Sequence, residues 1–66
     1  MELDSFVFKM IKDLHTIKYF PKLVVEGCYD AMVDRCKIAP PKEGKEVTIA
    51  RCMEVLNLLG FENDIN

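Results

Sequence analysis

Apolar residues recur at three- and four-residue steps in three stretches of this 66-residue chain. This spacing aligns apolar side chains on one face of an α-helix, so it predicts three amphipathic helices, at about residues 4–14, 21–38 and 48–59. Their expected apolar faces are Leu3, Phe6, Val7, Met10, Ile11 and Leu14, then Val25, Cys28, Tyr29, Met32 and Cys36, then Ile49, Cys52, Val55, Leu56 and Leu59. The predicted fold is all-α, a single three-helix domain over residues 1–66 in which an N-terminal amphipathic helix precedes a helix–loop–helix. Phe8 lies off the first stripe, and we expect it to be an exposed contact residue.

Prolines and a glycine shape the expected second helix. Pro21 suits its first turn, where a fixed φ is helical and a missing N–H costs nothing. Pro40 and Pro41 cannot continue a helix, so we expect the helix to end before them. Gly27 inside the helix costs about 1 kcal/mol relative to alanine. Either a neighbouring helix approaches closely at Gly27, or the glycine is simply tolerated.

The third helix has its own start and stop signals. Thr48 is a suitable N-cap residue, because its hydroxyl can accept a hydrogen bond from a free amide of the first turn. Gly60 can adopt the left-handed conformation that closes a helix, with Phe61 folding back on Leu56. We expect the polar tail, residues 62–66, to be frayed.

Composition and charge narrow the function classes. The net charge is −2, with both signs interspersed, so the chain lacks the basic stripe that nucleic-acid binding requires. No apolar run approaches the roughly 18–20 residues that span a bilayer, and the first ten residues do not resemble a secretory leader. Three cysteines, an odd number, favour unpaired thiols in a reducing compartment. We therefore expect an intracellular, cytoplasmic protein.

The segment VTIARCMEVLNLLGFEND, residues 47–64, resembles the loop end and exiting helix of an EF-hand of the calmodulin and myosin essential light chain type. Val47 stands where that family has the apolar residue of its short loop strand, and Leu59-Gly60 matches the pair that closes the exiting helix. The apolar residues between them follow the family's spacing: Cys52, Val55, Leu56 and Leu59. Counting back, the resemblance implies a 12-residue loop from Pro40 to Arg51.

The implied loop departs from the family's calcium-binding pattern. Calcium needs oxygen ligands at loop positions 1, 3, 5 and 12 and a glycine at position 6. Those positions are occupied here by Pro40, Lys42, Gly44, Arg51 and Lys45. We therefore expect a calcium-independent hand with no metal and no cofactor. A second hand, which the family normally pairs with the first, is not recognisable.

No constellation of residues indicates catalysis. His15 stands alone, without a cysteine or carboxylate at metal-ligand spacing. The spacing of Cys28, Cys36 and Cys52 is unlike that of zinc sites, and no base is recognisable beside any of them. A nucleophile, a base and an oxyanion donor cannot be assigned together. We expect a non-enzymatic protein.

The leading hypothesis is a protein-interaction module, light-chain-like or an adaptor, that binds an amphipathic helix of a larger partner. The resemblance implies a basic, IQ-like helix, and an acidic domain with soft methionine-containing surface suits such a target. Self-association is a further option for the same apolar surface. The candidate partner-binding residues, as groove or as core, are Phe6, Met10, Met32, Met53, Val55, Leu56 and Phe61.

Two alternatives stay open at this point. One is a free-standing three-helix regulatory protein, for instance a viral one, that binds and modulates another protein. The other is a helix-turn-helix DNA binder with residues 48–59 as the recognition helix. That helix offers only Arg51 and Asn57 to base edges, and the surrounding charge is acidic.

Overall fold

The computed structural model of the chain describes residues 1–14 and 19–63, with side chains for residues 1–14 and 21–61. Three helices, α1 (Leu3–Leu14), α2 (Lys22–Asp34) and α3 (Lys45–Leu58), make up most of it. The predicted all-α, three-helix domain is confirmed. His15 lies outside the described residues.

All three helices contribute to one core, as their apolar stripes predict. The rings of Phe6 on α1 and Tyr29 on α2 pack at a centroid distance of 5.3 Å and a tilt of 52°. The total accessible surface is 4274 Å², close to the roughly 4,300 Å² expected of a self-contained protein of this mass. The buried apolar side chains are Phe6, Val7, Met10, Leu14, Val25, Tyr29, Met32, Ile49, Cys52, Met53 and Leu56.

Three positions differ from the predicted stripes. Cys36 is exposed because α2 ends before it, and Leu59 is exposed because it follows the last residue of α3. Met53, by contrast, is buried beside the predicted stripe of α3. The inward face of α3 is therefore turned slightly from the one expected.

Helix α2 ends at Asp34, not at residue 38 as predicted. The Cys36 N–H donates to the Ala31 carbonyl oxygen at 3.1 Å, which closes the last turn. Lys37 then adopts a left-handed conformation with φ of 57° and turns the chain away. The helix thus stops through its own C-terminal hydrogen bonds, well before the prolines are reached.

Helix α3 begins at Lys45, and the predicted start at Thr48 is wrong. Gly44, with φ of 98°, is the N-cap residue. Thr48 is buried, and its hydroxyl donates to the Gly44 carbonyl oxygen at 2.7 Å, one turn back, instead of capping free amides. In this added first turn, the Lys45 ammonium lies 3.0 Å from the Asp30 carboxylate of α2, in an exposed ion pair.

The predicted end of α3 is confirmed. Gly60 has φ of 92°, and its N–H donates to the Asn57 carbonyl oxygen at 3.1 Å. The Phe61 N–H donates to the Leu56 carbonyl oxygen at 3.0 Å, which completes a Schellman motif. Phe61 packs partly buried against the core.

Two very short strands follow α1 and α3. β1 (Tyr19–Phe20) and β2 (Glu62–Asn63) pair in parallel, with Tyr19 opposite Glu62 and Phe20 opposite Asn63. The prediction of a frayed tail is therefore wrong for residues 62 and 63. This pairing joins segments 43 positions apart, so no local pattern could have predicted it.

Helices α1 and α3 run in the same direction. Residues 1–3, before and at the start of α1, line one depression with residues of the loop that leads into α3: Pro40, Lys42 and Glu43. Next along α1, the Asp4 carboxylate lies 3.4 Å from the Arg51 Nε atom of α3. Further along, Phe8 and Ile11 line the same groove as Val55. A parallel helix pair therefore borders this side of the domain.

Candidate functional site

The structure separates the candidate partner-binding residues into core and surface. Five of the seven are buried and fill the space between the helices: Phe6, Met10, Met32, Met53 and Leu56. Val55 and Phe61 are half-buried and pack against this core. A partner can therefore reach only Val55 and Phe61 of that set while the three helices stay packed.

An apolar groove lies between α1 and α3. Its cavity volume is about 170 Å³. Val7 is buried, Ile11 and Val55 are half-buried, and Phe8 is 63% exposed. The groove is lined by Asp4, Val7, Phe8, Ile11, Arg51 and Val55. We call this site the α1–α3 groove; the expected exposure of Phe8 is confirmed.

Two further apolar side chains extend the apolar surface past the groove. Leu58 lies three positions after Val55, hence one helical turn further along α3, and is 77% exposed. Leu59 follows it and is also exposed. The sequence analysis did not single out Leu58. Its signal was present, because Arg51, Val55 and Leu58 repeat at helical spacing outside the core stripe.

Charged side chains gather at one end of the α1–α3 groove. At the start of α1, the Arg51 guanidinium lies 2.7 Å from Glu54 and 3.4 Å from Asp4. The hydrogen bond to Glu54 has the larger effect and the hydrogen bond to Asp4 the next, and both raise the pKa of Arg51. Two carboxylates thus share one cation at this end. On α1, the Lys12 Nζ atom lies 5.6 Å from the centre of the Phe8 ring, and Lys12 lines the depression that faces α2.

Cys28 and Cys52 have thiols that favour the protonated form. Burial, followed by the nearby charges of Asp13 and Cys36, raises the pKa of the Cys28 thiol to about 11. Burial raises the pKa of the Cys52 thiol to about 12. Both thiols are therefore protonated at neutral pH, and a thiol is a poor nucleophile compared with a thiolate. Within residues 1–14 and 19–63, no three histidine, cysteine or acidic side chains are grouped so that they could hold a metal ion.

The loop implied by the EF-hand resemblance is wrong in its extent. Residues 45–51 belong to α3, so only Pro40–Gly44 of the implied loop lies outside the helix. Val47 is an exposed residue of the first turn of α3, where the resemblance implies an extended one. A loop strand that could pair with a second hand is therefore missing from this part of the described chain.

The helices of the described segments fall short of the length and apolar character needed to cross a membrane. Comparisons of the chain with protein-family models, with curated proteins and with solved structures found no match. The light-chain resemblance consequently rests on the sequence alone and stays a prediction. The site is thus defined by its geometry: an exposed, mostly apolar groove between two parallel helices, with the Asp4–Arg51 ion pair at one end.

Proposed function

We propose that this chain is a non-catalytic protein-interaction module that holds one amphipathic helix of a larger partner in the α1–α3 groove, without calcium. The observation that carries the proposal is the exposure of Phe8 beside the apolar floor of Val7, Ile11 and Val55. A large aromatic side chain in contact with water loses stabilisation that burial under a partner restores. Aromatic residues of this kind often dominate the energy of protein interfaces.

The shape of the site favours a helix as the ligand. Two neighbouring helices leave a furrow between them, and a third helix packs there by inserting its side-chain ridges. Apolar residues at steps of three and four positions on the ligand would meet Phe8, Ile11 and Val55 along the furrow. Leu58 would lengthen the contact by one turn.

The acidic end of the groove supports a basic residue on the partner. Asp4 and Glu54 share Arg51, so these three side chains together carry one net negative charge. A lysine or arginine of the bound helix would pair there, in keeping with the basic, IQ-like target that the light-chain resemblance implies. The proposed contact residues nevertheless differ from the methionines first considered, because Met32 and Met53 fill the core.

The closed core also supports the free-standing alternative in one respect: the three helices bury their apolar stripes against one another without a partner. A free-standing regulatory protein still needs a docking surface, and the α1–α3 groove serves that role equally well. DNA recognition by α3 has less support. Arg51, one of its two candidate base-reading side chains, is held by two carboxylates.

The test is a titration of the ¹⁵N-labelled chain with a basic amphipathic helical peptide, followed by amide chemical shifts. We expect saturable shifts centred on Phe8, Ile11 and Val55. Phe8→Asp should weaken binding by at least tenfold, since a hot-spot residue contributes about 2 kcal/mol or more. The matched control is Leu23→Asp, which changes another exposed residue (77% exposed) on α2, outside the groove.

Both variants should keep the thermal unfolding midpoint of the parent chain within a few degrees, because both positions are exposed. Equal loss of peptide binding in the two variants would count against a specific site at the groove. Shifts spread over α2, with none at Phe8 or Val55, would refute it.

A further inference from the structure

The cavity of the α1–α3 groove has room for one large side chain. Its volume is about 170 Å³, close to the roughly 150 Å³ of an engineered protein cavity that holds one benzene molecule. Pockets for drug-sized ligands begin at roughly 300 Å³. The Asp4–Arg51 ion pair closes one end of the cavity. A partner helix can therefore insert one side chain of about the size of a benzene ring, while its other apolar residues lie on the surface around it.

The lining of the cavity favours an aromatic side chain over an aliphatic one. Phe8 forms one wall, and its side chain is largely exposed to solvent. The aliphatic part of the lining consists of Val7, Ile11 and Val55. Two aromatic rings that meet edge to face or offset gain a factor of about threefold to tenfold in affinity beyond the burial of their area. Only an aromatic residue of the partner obtains this gain from Phe8.

Resting on the proposed function, we propose that one phenylalanine side chain anchors the partner helix in this cavity, with its ring packed against Phe8. The core of the chain already contains such a contact, between the tilted rings of Phe6 and Tyr29. A leucine would fill the cavity without the contact between rings. A tryptophan would leave part of its larger indole in water. The anchor should contribute more to binding than any other residue of the partner, because hot-spot residues fill pockets that exclude water.

The experiment uses four basic amphipathic peptides as long as α3, which has 14 residues. They differ only at one position in the middle of the apolar stripe, which holds phenylalanine, leucine, tryptophan or alanine. Calorimetric titration measures the affinity of each peptide. We expect the phenylalanine peptide to bind about threefold to tenfold more tightly than the leucine peptide and at least tenfold more tightly than the alanine peptide. Tighter binding of the leucine or the tryptophan peptide would overturn the proposal.

A pair of protein variants tests the contact between the rings. Phe8→Leu keeps an apolar side chain at the cavity and removes the ring, so the preference for phenylalanine over leucine should disappear while both peptides still bind. The matched control, Leu58→Ala, alters an exposed apolar residue of α3 outside the cavity lining. This control should weaken both peptides equally and keep the preference. A preference that persists in Phe8→Leu, or is lost in both variants, would overturn the contact with Phe8.

Nuclear Overhauser effects locate the anchor directly. In a complex of the ¹³C-labelled chain with the unlabelled phenylalanine peptide, the ring protons of the anchor should show contacts to the methyl groups of Ile11 and Val55 and to the ring of Phe8. Contacts from the anchor ring to another surface, such as the outer face of α2, would overturn the placement of the anchor, whatever the order of the four affinities.

Failure of the anchor and failure of the proposed function give different results. If all four peptides shift the amide signals of Phe8 and Val55 and bind with equal affinity, the groove still binds a helix, but the anchor is overturned. If none of them shifts these signals, the proposed function fails, and the anchor fails with it. If the free chain forms a dimer that Phe8→Asp dissociates in sedimentation equilibrium, a second copy occupies the groove, and both proposals are overturned.

Discussion

Replacing Gly27 by alanine should stabilise the protein. Gly27 lies inside α2 and is exposed, and a Cβ atom built there meets no other atom within 4 Å. Its φ is not in the left-handed region. The substitution therefore removes the helix penalty of glycine without introducing a clash. Alanine is better than glycine in a helix interior by about 0.8–1.0 kcal/mol.

This free energy translates into a measurable shift in melting temperature. Unfolding entropy near 60 °C is about 2.1 cal/mol/K per residue, or about 140 cal/mol/K for 66 residues. A gain of about 1 kcal/mol should then raise the midpoint by about 7 °C. Circular dichroism at 222 nm follows the transition, and a urea series should give a higher midpoint with an unchanged slope.

The control for this prediction is Ala31→Gly, one turn further along α2. It introduces the penalty that Gly27→Ala removes, so the midpoint should fall by a similar amount. An unchanged or lowered midpoint for Gly27→Ala would refute the reasoning. It would mean that this side of α2 is covered in solution, and close approach of another helix would again be the better explanation of the glycine.

Three other predictions test the helix end, the buried thiols and the core. Gly60→Ala should lower the free energy of unfolding by about 1 kcal/mol or more, because a residue with a Cβ atom is strained at φ of 92°. This effect is opposite in sign to that of Gly27→Ala, and thermal melting of the two variants measures both effects. The raised pKa values of Cys28 and Cys52, about 11 and 12 against 9.0 when unfolded, mean that unfolded thiols ionise first as pH rises. The free energy of unfolding that thiol burial contributes should be fully present below about pH 9 and should be lost as the pH rises towards 12. Urea titrations at pH 8 and 10 measure this loss, which should be smaller in Cys52→Ala. Leu56→Asp should leave the chain unfolded at 25 °C, since an unpaired charge in the core costs more than about 4 kcal/mol; a native-like melting curve would rule out the burial of Leu56.

The sequence alone predicted those features of the fold that depend on residues close together along the chain. The stripe of α1 predicted Phe6, Val7, Met10 and Leu14 as core residues, because helical periodicity alone decides which side chains share a face. The closing turn at Gly60 was equally predictable. Only glycine adopts its φ at little cost, and both hydrogen bonds of the turn span five residues or fewer.

Tertiary contacts decided what local pattern could not. Helix α3 begins at Lys45, after Gly44 as N-cap, and packing against the other helices places Thr48 in the core instead of at the predicted cap. Whether a methionine lines a groove or fills a core depends on which helices meet above it, and the packing of all three helices buried Met32 and Met53. The α1–α3 groove likewise exists only because two helices far apart in sequence lie side by side. Periodicity determines the faces of each helix, whereas long-range packing determines which part of each face remains open to a partner.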